Sequence, residues 1–329
     1  MKRVCASIRG VDIKRIGGPF ILAPLAGYTD KAFREIARSK GADSAVSEMV
    51  SAEGLARNGE KTKALLERFQ GEDRFIIQIF APSDDPVRRT MENLLEYNPT
   101  VIDINCGCPV PKVVKTGAGS ALMKNPEMIG KIIRTIKEYT DIPVSVKFRL
   151  GWDSSSINYI EFADTAAEAG AEMLTLHART RAQGYSGTAD KEAFRTLSNH
   201  FRESGMLIFG SGDVFTPEDA LDMINLYGLD GVMFARGAIG NPFIFRETKD
   251  LLEKGSYQHP ALQEKIETAE KHLDLMIGYY GENIACREMR KHLMAYIKGI
   301  PGSSRVKNEL AAACTREEMI AALSGLNRE

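Results

Sequence analysis

The sequence predicts a (β/α)8 (TIM) barrel followed by a small C-terminal helical domain, and three observations carry that expectation. Short runs rich in β-branched and bulky apolar residues alternate with helical stretches eight times. The strand signal then stops near Glu253 and only amphipathic helical patterns follow. The length, 329 residues, suits one barrel of about 250 residues with a smaller unit behind it. The expected division is 1–250 for the barrel and 251–329 for the helices. A doubly wound dinucleotide-binding sheet is the competing reading, but Gly210-Ser211-Gly212 runs on into Asp213-Val214-Phe215 without a third glycine.

In chain order the expected strands are 20–23, 45–49, 75–80, 101–105, 144–149, 173–177, 207–210 and 231–234. The expected helices among them are 31–39, 86–96, 126–139, 159–169 and 217–226. Thr29-Asp30 supplies an N-cap for the first of these, and Thr216 with Asp219 makes a capping-box spacing for the last. The helical pattern is weakest between the second and third strands. The segment 110–124, rich in Lys and Gly, reads as a loop longer than a strand-to-helix joint needs, which marks it as functional.

Behind the barrel, helices are expected at 261–280, 285–298 and 316–323. In the middle one Met289, Leu293, Tyr296 and Ile300 keep an apolar spacing while Arg287, Arg290, Lys291 and Lys298 fall on another face. From 281 to 310 six Lys or Arg stand against three Asp or Glu, a net of +3. A solvated helix face is the plain alternative to an anion-binding one.

Composition narrows the classes. An apolar fraction of 43% and a charged fraction of 26% are those of an ordinary globular protein. A net charge of −1 argues neither for nor against nucleic acid, because a local basic face can hide in a neutral total. No apolar run is long enough to span a membrane, and the first ten residues alternate charged with apolar types, so a cytoplasmic protein without membrane attachment is expected. Five cysteines, Cys5, Cys106, Cys108, Cys286 and Cys314, are odd in number and scattered, which reads as reduced thiols.

In a barrel the C-terminal ends of the strands converge on one mouth. Those positions here carry Gln78 on the third strand, Asp103 and Asn105 on the fourth with Cys108 just beyond, Lys147 and Arg149 on the fifth, and His177 on the sixth, followed by Arg179 and Arg181. The seventh and eighth strands end in Ser211-Gly212-Asp213 and Ala235-Arg236-Gly237, where barrels hold phosphates through backbone N–H groups. Lys147 reads equally as a Schiff-base nucleophile, an ion-pair partner or a cation beside a developing anion. His177 reads as a core histidine, a ligand or an acid. The Cys106/Cys108 pair lacks the companion ligands of a zinc site, and no metal is expected.

Nine segments in order, APLAGYTD (23–30), SEM (47–49), QIF (78–80), DINCGCP (103–109), KVVKTGAGSAL (112–122), VKFRLGW (146–152), HARTR (177–181), SGD (211–213) and ARGAIGNP (235–242), together resemble the tRNA-dihydrouridine synthase family, closest in tone to its bacterial B-type branch. The resemblance implies an enzyme that uses FMN and NADPH to reduce particular uridines in tRNA. It implies that Pro24, Leu25 and Ala26 line the flavin and that Gln78, Lys147 and His177 bind its ring or tail. Ser211, Gly212, Asp213, Ala235 and Arg236 would hold its phosphate. Cys108 matches the family's catalytic cysteine and Asn105 a substrate-contacting asparagine; Arg149 and Arg179 at the mouth, and Arg287, Arg290 and Lys291 on the basic helix, are the further expected tRNA contacts. Leu25, Ala178 and Lys191 depart from the family's commoner residues at positions of flavin packing and loop detail. Two other readings stay open: a flavin barrel acting on a free pyrimidine or other enone, and a tRNA-binding protein without chemistry. Which uridine is chosen and the oligomeric state are not legible, with a monomer as the default.

Overall fold

A computed structural model describes residues 13–328, so Cys5 and the charge-alternating start lie outside the described residues. Eight parallel strands form the barrel: β1 Phe20–Leu22, β2 Ser44–Val46, β3 Phe75–Phe80, β4 Val101–Cys106, β5 Val144–Arg149, β6 Met173–His177, β7 Leu207–Ser211 and β8 Gly231–Phe234. The sheet closes because β1 pairs with β8, Phe20 opposite Val232 and Leu22 opposite Phe234. Around it lie α1 Lys31–Ser39, α2 Asp84–Leu95, α3 Pro126–Tyr139, α4 Tyr159–Glu168, α5 Lys191–His200, α6 Pro217–Asn225 and α7 Ile244–Lys254. The Asp30 cap and the Thr216/Asp219 capping box both form as expected.

Strand periodicity sorts the side chains into two cores. Ile21, Ile76, Val101, Met173, Leu207, Phe209 and Met233 point into the barrel and fill its lower part. Their neighbours Leu22, Ile77, Ile102, Ile104, Cys106 and Ile208 point outward and pack under the helices.

Three details depart from expectation. The second strand ends at Val46, because the Ser47 hydroxyl takes the Gln78 N–H at 3.1 Å in place of a backbone carbonyl; a two-residue strand, Val50–Ser51, then resumes beside β3. Segment 110–124 is not an open loop but holds a helical turn, Pro111–Val114, and a 3-10 turn, Gly119–Lys124. Helices α5, α7 and α10 had no place in the sequence reading.

The C-terminal helices are α8 Leu262–Tyr280, α9 Glu282–Tyr296, α10 Ser303–Ala312 and α11 Arg316–Ser324. Gly281, at φ +78°, is the whole connection between α8 and α9, a conformation that favours glycine. Leu273, Met289, Leu293, Val306, Leu310 and Leu323 make a separate apolar cluster, and Ala32 of α1 is part of it. Polar ties fix the same seam: the Tyr279 hydroxyl donates to Glu35 at 2.5 Å and Lys40 pairs with Glu264 at 3.1 Å. Among the described residues no helix is long and apolar enough to cross a membrane.

Candidate active site

The inward-facing positions of the strands change character toward their C-terminal ends, from Val101, Met173 and Leu207 below to Asn105, Lys147, His177 and Ser211 above. Strand register places Gln78 beside Asp103, Asn105 beside Lys147, and Arg149 beside His177 and then Ser211. These side chains surround a cavity of about 510 Å³, a size usual for small-molecule sites. Of the expected site residues, Pro24, Leu25, Ala26, Gln78, Asn105, Cys108, Lys147, Arg149, His177, Ser211, Gly212, Asp213, Ala235 and Arg236 all line it.

A hydrogen-bonded chain runs from the floor of this cavity to Cys108. Ser145 Oγ and Gln78 Nε2 donate to the two oxygens of Asp103 at 2.5 and 2.6 Å, so the Gln78 amide oxygen faces the other way. It accepts from Asn105 Nδ2 at 2.7 Å, which turns Asn105 Oδ1 toward the loop, where it accepts the N–H groups of Gly107 (3.2 Å) and Cys108 (2.9 Å). From the other side the Cys108 carbonyl accepts from Ser120 N and Oγ at 3.1 and 2.9 Å. Gly119, at φ +62°, passes so close that a Cβ there would stand 2.9 Å from that carbonyl. Cys108 is thus held through its backbone, and its thiol, not in a disulfide, stands in a half-buried wall of the cavity.

The two thiols differ in direction. Cys106 ends β4 on its outward face, fully buried among apolar side chains, and burial with the nearby Asp103 charge pushes its titration well up. Burial also raises the Cys108 thiol, partly opposed by the Val110 N–H and the Arg149 charge, so it is a neutral S–H at physiological pH.

Cations dominate the rest of the wall. Burial, reinforced by the Arg149 charge and opposed by Asp103, lowers the Lys147 ammonium to about 8; it makes no hydrogen bond or ion pair among the described residues. Burial and then Lys147, Arg149, Arg179 and Arg236 drive His177 well below its ordinary range, leaving a neutral imidazole. Arg149, at 2% exposure, acts mainly as a strut: it donates to the carbonyls of Gly107, Thr180 and Gly184 at 2.7, 3.0 and 2.9 Å. It thereby ties the Cys108 loop to the loop after β6.

At the far end the loops after β7 and β8 lie against each other. A Cβ on Gly237 would come within 2.1 Å of the Val214 carbonyl, and one on Gly212 (φ +117°) within 2.9 Å of the His177 ring. Asp213 itself adopts φ +52°. Burial alone would raise its carboxyl; the Arg179 and Ala189 hydrogen bonds and the Arg179 and Arg236 charges outweigh that and hold it below the usual range. It pairs with Arg236 at 3.2 Å, and the Arg236 guanidinium lies over the Tyr185 ring, 4.8 Å from its centre.

Two arginines do not stand where the sequence reading put them. Arg179 is 1% exposed and does not line the cavity, because its guanidinium is held by Asp213 and Gly187 at 2.6 Å and by Ser186 at 3.1 Å. Arg290 donates to the Ala313 carbonyl at 2.9 and 3.3 Å and so fastens the end of α10 to α9. Arg287 projects from α9 and pairs with Glu288 at 3.4 Å. Lys291 reaches the barrel mouth, over the Tyr28 ring at 5.1 Å, with Glu288 at 2.8 Å. Sequence reasoning missed the cavity-lining Tyr28, Met49, Tyr185 and Phe215. Tyr185, flanked by Gly184 and Gly187 and 53% exposed, carried a signal: a large aromatic in an otherwise small, polar loop.

Comparison with known proteins agrees with this geometry. Residues 21–328 match the family described as dihydrouridine synthase. A probable tRNA-dihydrouridine synthase of Treponema pallidum is 41% identical over 295 residues, covering 88% of this chain and 87% of that one. The tRNA-dihydrouridine synthase B of Pasteurella multocida is 33% identical over 305 residues, 92% of this chain and 91% of its own. Among solved structures, a 2-naphthoyl-CoA reductase in complex with 2-naphthoyl-CoA superposes with a TM-score of 0.54 at 11% identity, over 72% of this chain and 50% of that one. This chain therefore spans half of that protein's length, and the likeness is one of barrel fold alone. A family match over nearly the whole chain, with relatives above 30% identity across most of both partners, establishes that the protein belongs to the dihydrouridine synthase family.

Proposed function

We propose that the cavity holds FMN and that the protein reduces the 5,6-double bond of particular uridines in tRNA, with NADPH as reductant and Cys108 as proton donor. The residues present fit such a cofactor. Lys147, unpaired and cationic, matches the electron-rich edge of a flavin ring; Gln78 and neutral His177 offer further donors; and the close backbone approach at Gly212 and Gly237, with Arg236 beside it, matches a phosphate tail. When bound, a reduced flavin supplies a hydride to carbon 6 of the uracil.

This chain's residues do the remainder. Carbon 5 gains carbanion character and needs a proton, which Cys108 donates from Sγ as a neutral thiol. Asn105 and Ser120 keep that thiol in place through the backbone of its loop. Lys147 would hold the electron-rich edge of the cofactor and supply a fixed positive charge there. Pro24, Leu25 and Ala26 form an apolar wall that limits water, and the Thr29 hydroxyl, accepting the Leu25 N–H at 2.9 Å, holds that wall's turn. Residues 251–329 act as the tRNA-binding part, with Arg287 and Lys291 toward phosphates and Lys291 nearest the mouth.

The observation that carries this reading is the neutral thiol of Cys108 in the wall of a cavity that an unpaired lysine and a phosphate-type loop pair also line. The test is mass mapping of dihydrouridine in tRNA from cells with and without the protein, together with turnover on unmodified tRNA and on free uridine. Loss of dihydrouridine at defined positions, with turnover on tRNA only, is expected. An unchanged modification map, or equal turnover of free uridine, would contradict it.

A further inference from the structure

Away from the cavity, three side chains of metal-ligand type meet in the seam between α1 and the C-terminal helices. Asp30 caps α1, with Oδ1 accepting the Phe33 N–H at 3.0 Å. His272 comes from α8 and His292 from α9, and the ligand atoms of all three lie within 4.8 Å of one another. Both histidines are 0% exposed.

Neither ring is satisfied by the protein. His292 has both ring nitrogens buried without a hydrogen-bond partner among the described residues; His272 lacks one at Nε2, while its Nδ1 faces the Tyr296 hydroxyl at 3.4 Å. Buried polar atoms are ordinarily paired, so two fully buried imidazoles with partnerless nitrogens, each offering one ligand atom beside a carboxylate, call for an occupant. The surrounding walls are aromatic. Phe33 lies 5.4 and 5.2 Å from the two imidazoles, and Tyr28 lies 5.3 Å from His292.

We infer that Asp30, His272 and His292 form a binding site for one divalent transition-metal cation, with Zn²⁺ the best match to two imidazoles and a carboxylate. Burial keeps both imidazoles in the neutral form that ligates: His292 is held down at about 3, and His272 well below its usual value. The nearby cations are already matched, Arg34 by Glu72 at 2.9 Å and Lys291 by Glu288 at 2.8 Å. Tetrahedral bonds of about 2.0–2.1 Å set ligand atoms roughly 3.3 Å apart, so side-chain rotations that draw the ligand atoms together by at most about 1.5 Å close the site and leave a fourth position for water. The expectation that no metal is bound rested on the Cys106/Cys108 pair, and this site uses neither thiol. Its ligands come from the barrel and from two C-terminal helices, so an ion here locks the helical part to the loop that lines the cavity.

The test uses chelator-stripped full-length protein. Zn²⁺ is titrated against a chromophoric competitor, and Co²⁺ is followed by difference absorption. Expected are one equivalent per chain, the visible bands of four-coordinate cobalt without a thiolate charge-transfer band, and a rise in Tm that chelator reverses. Asp30→Asn, His272→Gln and His292→Gln should each weaken binding by at least the roughly 10- to 100-fold that loss of an outer partner costs a metal site. His200→Gln, an exposed histidine outside the seam, should bind as the parent does. Absence of stoichiometric binding, a thiolate band, or seam variants that bind like the parent would each overturn the assignment. If a seam variant fails to fold, the parent's stoichiometry and cobalt spectrum decide it.

Discussion

Replacing Lys147 by Met should make the flavin-free protein more stable and the enzyme worse. The substitution nearly keeps side-chain length and removes a buried charge that no partner neutralises. Lowering this ammonium from 10.5 to about 8 corresponds to roughly 3 kcal/mol of destabilisation of the charged form. At about pH 7 the lysine is protonated in both states, so the folded protein carries that whole penalty. Between about 8 and 10.5 the folded state has released a proton that the unfolded state still binds, and the parent's stability rises with pH. The Met variant's advantage should therefore be about 3 kcal/mol near pH 7 and shrink toward zero near pH 10.5. Urea unfolding of both flavin-free proteins across that range measures it. The same variant should retain flavin less well and reduce tRNA more slowly. A variant no more stable than the parent near pH 7, or a gap that ignores pH, would refute the reasoning about this cation.

Glu72→Gln should cost about 3–5 kcal/mol in denaturant unfolding, since it breaks a pair in which Arg34 is 1% and Glu72 0% exposed and leaves the buried guanidinium charge without its counter-ion, held only by the Glu67 and Thr29 carbonyls and a neutral amide. Gly237→Ala should fold yet lose flavin on gel filtration, because its Cβ would meet the Val214 carbonyl at 2.1 Å and push apart the two phosphate-side loops. Changing Arg287 and Lys291 together to Ala should leave Tm nearly unchanged and flatten the dependence of tRNA affinity on salt by about 1.5 in the log–log slope. Arg290→Ala should instead lower Tm, because it removes the donor to the Ala313 carbonyl.

The barrel was legible because its strands are short, apolar and regularly spaced, and because residues two apart share a face. That rule alone puts Asn105 inside and Cys106 outside. The mouth was legible for the same reason: polar residues at strand ends have no place in a core. What sequence could not give was how charges pair across the fold. Arg179 looks like a mouth residue by position, yet Asp213 and the Gly187 carbonyl draw its guanidinium beneath the loop. Arg290 shares a helical face with Arg287 on a wheel, but the end of α10 claims it. Helix α10 escaped notice because Val306 and Leu310 are its only large apolar residues. The Asp30, His272 and His292 seam depends on three elements far apart in the chain, with no spacing to announce it.

The central claim is that Cys108 is the acid, and separating the half-reactions tests it most directly. Flavin bleaching by NADPH and reoxidation by unmodified tRNA would be followed by stopped flow in the parent, Cys108→Ala and Cys106→Ala. Cys108→Ala should bleach at the parent's rate and reoxidise about 100- to 10,000-fold more slowly, the usual cost of losing a positioned general acid. Cys106→Ala, altered on the outward face of β4, should change neither step by more than a modest packing effect. Loss of reoxidation in Cys106→Ala, with Cys108→Ala unaffected, would contradict the account.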